Sequence, residues 1–576
     1  MKNRFAAIVG LLLGATCSLG ALAARSSTAA EPDKTAGKEP SRPYLHAQPE
    51  QIAWWEDARL GMFVCWGPVS LTGLEIGWSR GKARPDQRQG GAGPTPVEVY
   101  DNLYKKWKPE KFDARAWVKL AQDAGMKYMI FLVRHHDGFS LYDTKVSDYK
   151  STSPEAAWRH DVMKDIAEAC HEAGLKLLLY YSQPDWHHPD YRTANHARYV
   201  KYLHAQVREL LTDYGRIDGL WFDGLGGSAK DWDAENLFQM ARSIQPWLLI
   251  NNRCGLPADF DTPEQHLGGF QLSRPWESCI TLGTQWSWKP DDRIKSLKEC
   301  VNLLVSCACR GGNLALNTNP MPDGRIEPRQ AERFRQIGRW LKQHGESIYG
   351  TRGGPFRSRP WGGTTHRAET VYLHVLDWPG ESVRLPPIPR KIVASLVLSG
   401  GTATVKQTGE AIEVRVPPAH RHPLDTIVVL KLDGPAGELK PGRLASDSLT
   451  FGKKAKASNF FRSAPEFSPE KAVDDDPDTR WGCDGGTHSA WLEVDLGRPQ
   501  AFDRAAISEP YGRVRRFELQ AKEGDSWKTF YRGTTIGDEF QARLPPVTAQ
   551  HVRLNLLETT DGPSIWEFQL FAPGKK

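Results

Sequence analysis

Two acidic residues stand beside tryptophans where apolar stretches of the chain end. Asp223 follows Trp221 and Phe222 and precedes a glycine, and Glu277 follows Trp276. Side chains at the carboxyl ends of parallel strands carry the chemistry of (β/α) barrels. Two carboxyl groups about 5–5.5 Å apart can split a glycosidic bond with retention, one as nucleophile and the other as acid/base. We predict these roles for Asp223 and Glu277; the alternatives are a turn residue and a partner of an arginine, respectively.

Other polar side chains also follow apolar stretches. His135 and His136 come directly after the stretch 128–134, and imidazoles there can hydrogen-bond sugar hydroxyls. Neighbouring strand residues point to opposite faces, so the two histidines do not form a simple chelate. Arg253 follows the stretch 247–252 and would help keep a carboxylate ionised. The alternatives are a buried structural histidine and a structural salt bridge. The tryptophans near these strand ends are Trp78, Trp221, Trp276, Trp286 and Trp288.

Apolar and amphipathic stretches alternate between about residues 50 and 345. Strands are predicted at 61–66, 128–134, 175–181, 219–223, 247–252, 270–276 and 313–317. Helices are predicted at 114–124, 162–173, 194–211, 234–244 and 293–306. This alternation predicts parallel βαβ units, an α/β fold of the (β/α)8-type (TIM-like) barrel class with long loops.

The remaining chain carries only short strand patterns. They predict a small β-sandwich after about residue 350 and a second all-β domain at the C-terminus. We expect the following division: a signal peptide (1–23), a flexible lead-in (24–45), a catalytic barrel (46–346), a β-sandwich (347–436), a linker (437–450) and a C-terminal β-sandwich domain (451–576).

Charge and targeting signals restrict the partners of the chain. The net charge of +6 comes from scattered basic residues, which argues against nucleic acid as the main partner. Lys2 and Arg4, the apolar stretch 5–13 and the A-x-A cleavage site at 21–23 predict a secretory signal peptide, hence a secreted or periplasmic protein. No stretch is long enough to predict a membrane span. The oligomeric state stays open.

Cysteines and a basic loop give weaker signals. Eight cysteines lie beyond the predicted signal peptide without a C-x-x-C pair, which argues against a zinc ribbon and leaves room for one unassigned disulfide. Arg80, Lys82, Arg84 and Arg88 lie among glycines in a long loop. We interpret this loop as solvated, with contact to an acidic or sulfated glycan as the alternative.

Short motifs recur in a fixed order along the first three fifths of the chain. They are ARLGMF (58–63), FDA (112–114), HHDGF (135–139), SDY (147–149), GLK (174–176), YYS (180–182), WFDG (221–224) and GNLALN (312–317). Together they resemble the α-L-fucosidases of glycoside hydrolase family 29, over roughly residues 50–435.

The resemblance assigns roles to individual residues. It implies a retaining exo-glycosidase that removes terminal α-L-fucosyl residues from an oligosaccharide or polysaccharide, with no cofactor for catalysis. Asp223 matches the family nucleophile, and Glu277 matches the acid/base of one branch of the family. The residues implied to bind the sugar are His135, His136, Tyr181, Trp221, Arg253, Glu75 and Trp78.

The chain departs from the family pattern at one position. Cys65-Trp66-Gly67 stands where the family usually has His-Trp-Gly, and a thiol is a weaker partner for a sugar hydroxyl. The alternative functions are therefore a glycosidase for a related sugar, such as an α-L-galactoside or a sulfated fucan, and a non-catalytic glycan-binding protein.

The C-terminal segment also resembles a known domain type, the discoidin (F5/8 type C) domain used as a carbohydrate-binding module. Such domains often hold one structural Ca²⁺ with oxygen ligands. The resemblance places these ligands at Asp474, Thr479 and Glu567, although Asp474 is followed by Asp475 where the family commonly has glycine.

Overall fold

The computed structural model describes residues 42–82, 92–359, 361–440, 447–476, 479–537 and 540–573. Residues 44–576 belong to one compact unit. The predicted signal peptide, most of the lead-in, and Arg84 and Arg88 of the basic loop lie outside the described residues.

A parallel sheet forms the centre of the N-terminal half. Its seven strands follow the order β5-β4-β3-β2-β1-β7-β6, and nearly every residue in them is buried. Parallel strands covered on both faces appear in sequence as continuous apolar runs, which is why this pattern predicted them well. The strands are β1 Leu60–Val64, β2 Tyr128–Arg134, β3 Lys176–Tyr181, β4 Gly219–Phe222, β5 Leu249–Ile250, β6 Glu277–Thr281 and β7 Asn313–Thr318.

The described sheet has seven strands, one fewer than the predicted barrel. Between its two edge strands, β5 and β6, lies the segment 260–264. Isolated parallel bridges join Asn251 to Phe260 on one side, and Asp261 to Trp276 and Glu264 to Cys279 on the other.

Helices connect the strands and cover the outside of the sheet. Asp113 caps α3 by accepting a hydrogen bond from the backbone of Ala116, and Ser296 and Glu299 form a capping box on α8. The helices are α1 Pro49–Ala58, α2 Val97–Tyr100, α3 Ala114–Asp123, α4 Val162–Ala173, α5 His196–Thr212, α6 Ala229–Trp232, α7 Ala234–Ile244, α8 Leu297–Cys309 and α9 Pro328–His344.

One predicted strand is wrong, and the error matters for the site. Half of residues 270–275 are exposed and none is buried, and Pro275 has no backbone N–H to donate to a ladder. Strand β6 begins only at Glu277, which pairs with Asn313, the first residue of β7. Glu277 therefore lies at the amino edge of the sheet, opposite to the edge where Asp223 follows β4.

The middle of the chain forms two antiparallel sheets. One has the order β12-β15-β10-β9-β8 and the other β11-β14-β13, and apolar side chains from both share one buried cluster. The strands are β8 Arg352–Gly353, β9 Gly362–Arg367, β10 Thr370–Val375, β11 Ser382–Leu385, β12 Ile392–Val397, β13 Thr404–Gln407, β14 Ile412–Arg415 and β15 Thr426–Leu432.

The C-terminal region has its own antiparallel sheets and its own buried core. Its strands are β16 Lys454–Ala457, β17 Trp481–Gly482, β18 Ala490–Ser508, β19 Val514–Glu523, β20 Ser526–Gly533, β21 Phe540–Thr559, β22 Ser564–Ile565 and β23 Glu567–Phe571. Within the described part of the chain, no helix has the length and apolar character that crossing a membrane requires.

Candidate active site

Asp223 lies at the carboxyl edge of the parallel sheet, where the sequence predicts it, in a dense set of hydrogen bonds. The Tyr180 hydroxyl donates to Oδ2 at 2.8 Å, and Nη1 of Arg253 donates to Oδ1 at 3.1 Å. The Nε2 atom of His136 lies 3.4 Å from Oδ2. Burial alone would raise the pKa of Asp223, but His136, Arg253 and Tyr180 outweigh it and hold this pKa well below its usual range. The group is therefore a carboxylate at neutral pH.

Arg253 joins a second carboxylate to the first. The same Nη1 atom that contacts Asp223 also donates to Oε2 of Glu264 at 2.8 Å. Two oxygens that share one nitrogen at these distances lie less than about 6 Å apart, which is compatible with the separation of about 5–5.5 Å in retaining glycosidases. Burial opposes the charge of Arg253, but the negative charges of Asp223 and Glu264 raise its pKa.

Thr262 fixes the guanidinium group between the two carboxylates. Nε of Arg253 donates to the Thr262 hydroxyl at 2.9 Å, and Nη2 donates to the Thr262 carbonyl at 2.8 Å. Thr262 and Glu264 belong to the same irregular segment, 260–264, so this segment and β4 are held together through one arginine.

Sequence reasoning missed Glu264, because it follows neither an apolar stretch nor a tryptophan; its only signal is a carboxylate between two predicted strands.

Glu277 does not reach the cavity in which Asp223 lies. Its side chain is fully buried, and its carboxyl group accepts hydrogen bonds from the Tyr128 hydroxyl and from Nε1 of Trp221, the latter at 3.1 Å. The predicted pairing of Asp223 with Glu277 at one edge is therefore wrong, since Glu277 begins a strand instead of ending one. Burial raises the pKa of Glu277 to about 7 despite the two hydrogen bonds.

The two histidines meet the cavity in different ways. Nδ1 of His136 lies 2.6 Å from the Ser182 hydroxyl, which itself donates to the Pro184 carbonyl, so Nδ1 is the donor in this contact. His135 is buried and lines the cavity, while its Nδ1 atom lies inaccessible against Gly77, without a hydrogen-bond partner among the described residues. Burial and the neighbouring His136 hold the pKa of His135 well below its usual value, so it is a neutral imidazole that can bond a ligand hydroxyl.

Tyr180, and not the predicted Tyr181, faces the cavity. Successive strand residues point to opposite faces, and Tyr180 is in register with Trp221 on the inner face. Tyr181 points outward, where its hydroxyl donates to Gln206 at 2.9 Å. The prediction for Tyr181 is therefore wrong by one residue.

A cavity of about 150 Å³ collects most of the predicted site residues. Trp78 is 45% exposed at this cavity, whereas Trp221 is buried in its wall. The predicted site residues that line it are Cys65, Trp78, His135, His136, Trp221, Asp223 and Arg253. It is also lined by Trp286, one of the tryptophans expected near the strand ends, and by Phe63, Tyr180, Leu225, Glu264 and Cys279, for which the sequence predicted no role.

Glu75 supports this cavity from outside its lining. Its carboxylate accepts hydrogen bonds from the backbone N–H groups of Trp286 and Ser287, with the shortest contact at 2.9 Å. Glu75 therefore holds the loop that carries Trp286, and it is not among the residues that line the described cavity.

Arg80, which begins the basic loop, and the eight described cysteines are all buried. Arg80 is buried and pairs with Asp101 at 2.6 Å, so it is unavailable to an acidic ligand. All eight described cysteines are buried free thiols, without a disulfide. Of these, Cys65 and Cys279 line the cavity.

The predicted calcium ligands lie near one turn of the C-terminal region. The Thr479 hydroxyl donates to both carboxylate oxygens of Asp474, at 2.8 and 2.9 Å, and the Asp476 backbone donates to Glu567 at 2.8 Å. Among the residues that the structure describes, no group of three or more histidine, cysteine or acidic side chains is placed to hold a metal ion.

Comparison with known proteins identifies the family of this chain. The alpha-L-fucosidase family model matches residues 27–346, and the F5/8 type C domain model matches residues 454–568. Alpha-L-fucosidase isoenzyme 1 from Paenibacillus thiaminolyticus has a TM-score of 0.59 and 32% identity, covering 67% of this chain and 99% of that one.

Two further relatives bear on chemistry and location. A GH29 alpha-L-fucosidase from Bacteroides thetaiotaomicron, solved as a trapped covalent intermediate with 2-fluoro-fucosyl fluoride, has a TM-score of 0.59 and 25% identity, covering 67% of this chain and 97% of that one. Human plasma alpha-L-fucosidase is 27% identical over 57% of this chain and 76% of its own length. With a family model matched over more than half of its residues, this chain belongs to the alpha-L-fucosidase family of glycoside hydrolases, with an F5/8 type C domain at its C-terminus.

Proposed function

We propose that the protein is a retaining exo-α-L-fucosidase in which Asp223 is the nucleophile and Glu264 the acid/base. The observation that carries this proposal is the single nitrogen of Arg253 that binds both carboxylates. The cavity is much smaller than the pockets of roughly 300–1,000 Å³ that hold drug-sized ligands, so it suits one terminal sugar ring.

The reaction follows from these positions in two steps. Asp223 attacks the anomeric carbon while the protonated form of Glu264 gives its proton to the leaving oxygen, so the glycosidic bond breaks as the bond to the Asp223 oxygen forms. Glu264, now a carboxylate, takes a proton from water, which attacks the same carbon and releases Asp223. Two inversions give net retention.

Neighbouring side chains prepare each reactant. Despite burial, His136, Arg253 and Tyr180 keep Asp223 ionised, as nucleophilic attack requires. Neutral His135 lines the cavity, where its imidazole can bond a sugar hydroxyl. Trp78 and Trp221 offer aromatic surface to the apolar part of the ring, and Trp78 packs edge-to-face against His136 with ring centroids 5.8 Å apart.

Hydrolysis of 4-nitrophenyl α-L-fucoside tests this assignment. We expect Asp223→Ala and Glu264→Ala to lose nearly all activity, and azide to restore it through different products. The nucleophile variant should give a fucosyl azide of inverted configuration, and the acid/base variant one of retained configuration. Glu277→Gln is the matched control, because this glutamate is buried below the cavity; an equally complete loss in Glu277→Gln, with Glu264→Ala active, would refute the assignment.

A related sugar remains the second candidate function. Cys65 and Cys279 both line the cavity, so its wall offers two weak thiol partners to the sugar. Such a wall would favour a substrate that differs at the neighbouring position, for example an α-L-galactoside or a sulfated fucan. Matched aryl glycosides decide the question, and a strong preference for the fucoside would exclude this candidate. Wild-type inactivity on all of them would instead favour a non-catalytic glycan-binding protein.

We propose that residues 1–23 direct export and are removed. The plasma location named for the human relative supports an extracellular role. Expression with secretion, followed by N-terminal sequencing, should give a chain that starts after Ala23. An intact N-terminus in the exported fraction would contradict this.

We also propose a structural Ca²⁺ held by oxygens of Asp474, Thr479 and Glu567. Burial and the charges of Asp474 and Asp475 raise the pKa of Glu567 to about 9, and a divalent cation would offset that repulsion. Calcium should raise the melting temperature of the wild type and not that of Asp474→Ala; an identical response of the two proteins would argue against the site.

For the architecture, we propose that the segment 260–264 closes the parallel sheet into a barrel. The three isolated bridges to Asn251, Trp276 and Cys279 support this closure. Three separate buried clusters likewise support the predicted division into a barrel, a β-sandwich and a C-terminal domain. A crystal structure with an open gap between β5 and β6 would contradict the closure.

A further inference from the structure

Glu277 is a buried carboxyl group that the two-step reaction leaves without a role. It has no exposed surface, and each of its oxygens accepts one hydrogen bond, Oε2 from Tyr128 and Oε1 from Trp221. A buried carboxyl group is costly unless its hydrogen bonds are made. The Tyr128 ring is itself confined, because a Cβ atom on Gly61 would come within 2.2 Å of it. The confined Tyr128 side chain therefore holds the Glu277 carboxyl group in place.

Trp221 connects Glu277 to the cavity, because its indole bonds Glu277 and its ring lines the cavity wall. Its ring stacks on Tyr180 with centroids 5.6 Å apart and an interplanar angle of 25°, and the Arg253 guanidinium lies 4.7 Å from its centre. Tyr180 and Arg253 each donate a hydrogen bond to Asp223. The indole N–H is a donor only, and Glu277 is its acceptor.

We propose that Glu277 is a positioning residue: its carboxyl group fixes the Trp221 ring and, through that ring, the contacts of Tyr180 and Arg253 with Asp223. This inference rests on the proposed role of Asp223 as nucleophile. It gives Glu277 no part in proton transfer, because Tyr128 and Trp221 occupy its oxygens at the amino edge of the sheet.

Two substitutions at Glu277 separate positioning from proton transfer. The carbonyl oxygen of glutamine can accept from Trp221 while its amide donates to the Tyr128 hydroxyl, so Glu277→Gln should keep kcat within about three-fold of the wild type. Leucine offers no acceptor, so Glu277→Leu should lower kcat by roughly 10- to 100-fold with a much smaller change in KM, as expected for a displaced reacting group. Its acid limb of kcat/KM should also move to higher pH, because Asp223 loses well-placed donors.

Trp221→Phe removes the same hydrogen bond from the other side and keeps the proposal testable if Glu277→Leu does not fold. It should lower kcat in the same way, and adding Glu277→Leu should then cost little more, since the two changes break one interaction. Melting curves and circular dichroism establish that each variant is folded.

The outcomes are distinct. Wild-type kcat, KM and pH profile in folded Glu277→Leu and Trp221→Phe would overturn the positioning role. An inactive Glu277→Gln that azide rescues would also overturn it and make Glu277 the acid/base. Activity retained by the Asp223→Ala variant would instead refute the proposed function. The failure of the positioning role and the failure of the proposed function can therefore be told apart.

Discussion

Tyr180→Phe removes one oxygen atom and one of the hydrogen bonds to the proposed nucleophile. The hydroxyl donates to Oδ2 of Asp223 at 2.8 Å, and phenylalanine keeps the ring that stacks on Trp221. A hydrogen bond to a charged group contributes about 1.5–3 kcal/mol, and about 1.4 kcal/mol corresponds to a factor of ten in rate. We therefore expect kcat/KM to fall roughly 10- to 100-fold. Because Arg253 still binds Oδ1, the smaller value is favoured.

The neighbouring residue provides a matched control. Tyr181→Phe makes the same chemical change one position later, where the hydroxyl contacts Gln206 on the outer face of the sheet. It should cost about 1 kcal/mol of unfolding free energy and leave kcat/KM within about two-fold of the wild type. Both variants are compared with 4-nitrophenyl α-L-fucoside over a range of pH, and their stabilities by urea unfolding.

The pH dependence adds a second readout. Losing the Tyr180 donor should raise the pKa of Asp223, so the acid limb of kcat/KM should move to higher pH in Tyr180→Phe only. The reasoning is refuted if Tyr181→Phe loses activity while Tyr180→Phe keeps it, because the two side chains would then face opposite ways from those described.

Four further outcomes are expected. Because the pKa of Asp223 is lowered, the nucleophile should lose its charge only as pH falls through that lowered value. The wild-type kcat/KM should therefore persist below about pH 4, where an ordinary aspartate titrates. A decline of kcat/KM centred at or above pH 4 would contradict the lowered pKa. The pKa of Glu277 is raised to about 7, so its stabilising contribution is complete below the pKa of the unfolded chain and is lost as pH rises to about 7. Between pH 4 and 8, the free energy of urea unfolding should fall by about 3 kcal/mol more in the wild type than in Glu277→Gln. The same pH dependence of unfolding free energy in both proteins would count against the raised pKa. Trp78→Ala should raise KM roughly 3- to 10-fold with little change in kcat, and an unchanged KM would remove Trp78 from the sugar site. Gly61→Ala should destabilise the fold by about 1–3 kcal/mol in urea unfolding because its Cβ atom would overlap the Tyr128 ring; equal stability would show that the ring can move.

Local patterns correctly predicted strands β2 and β4, and the strand end at which Asp223 lies, for the same reason. A buried parallel strand must be apolar throughout, so β2 and β4 are visible as apolar runs, and the first polar residue after β4 is Asp223. The helices α4 and α7 were predicted with their observed bounds, because one apolar face repeats at helical spacing in each.

The errors arose where a local pattern does not define direction or register. Trp276 and Glu277 resemble the end of a strand, but strand β6 begins at Glu277. The local sequence does not distinguish the first residue of a buried strand from the residue that follows one. Tyr180 and Tyr181 are chemically identical neighbours, and a shift of one residue reverses the face that each occupies.

By itself, the sequence determined the class of fold, the family and the strand end that carries Asp223, because these depend on hydrophobic periodicity and short motifs. The tertiary structure alone decided which carboxylate stands opposite Asp223. Glu264 lies in an irregular segment, and only the folding of that segment between β5 and β6 brings it to the nitrogen of Arg253 that Asp223 also binds. Carboxyl separation depends on packing between segments that are distant in the chain, and no local pattern encodes that distance.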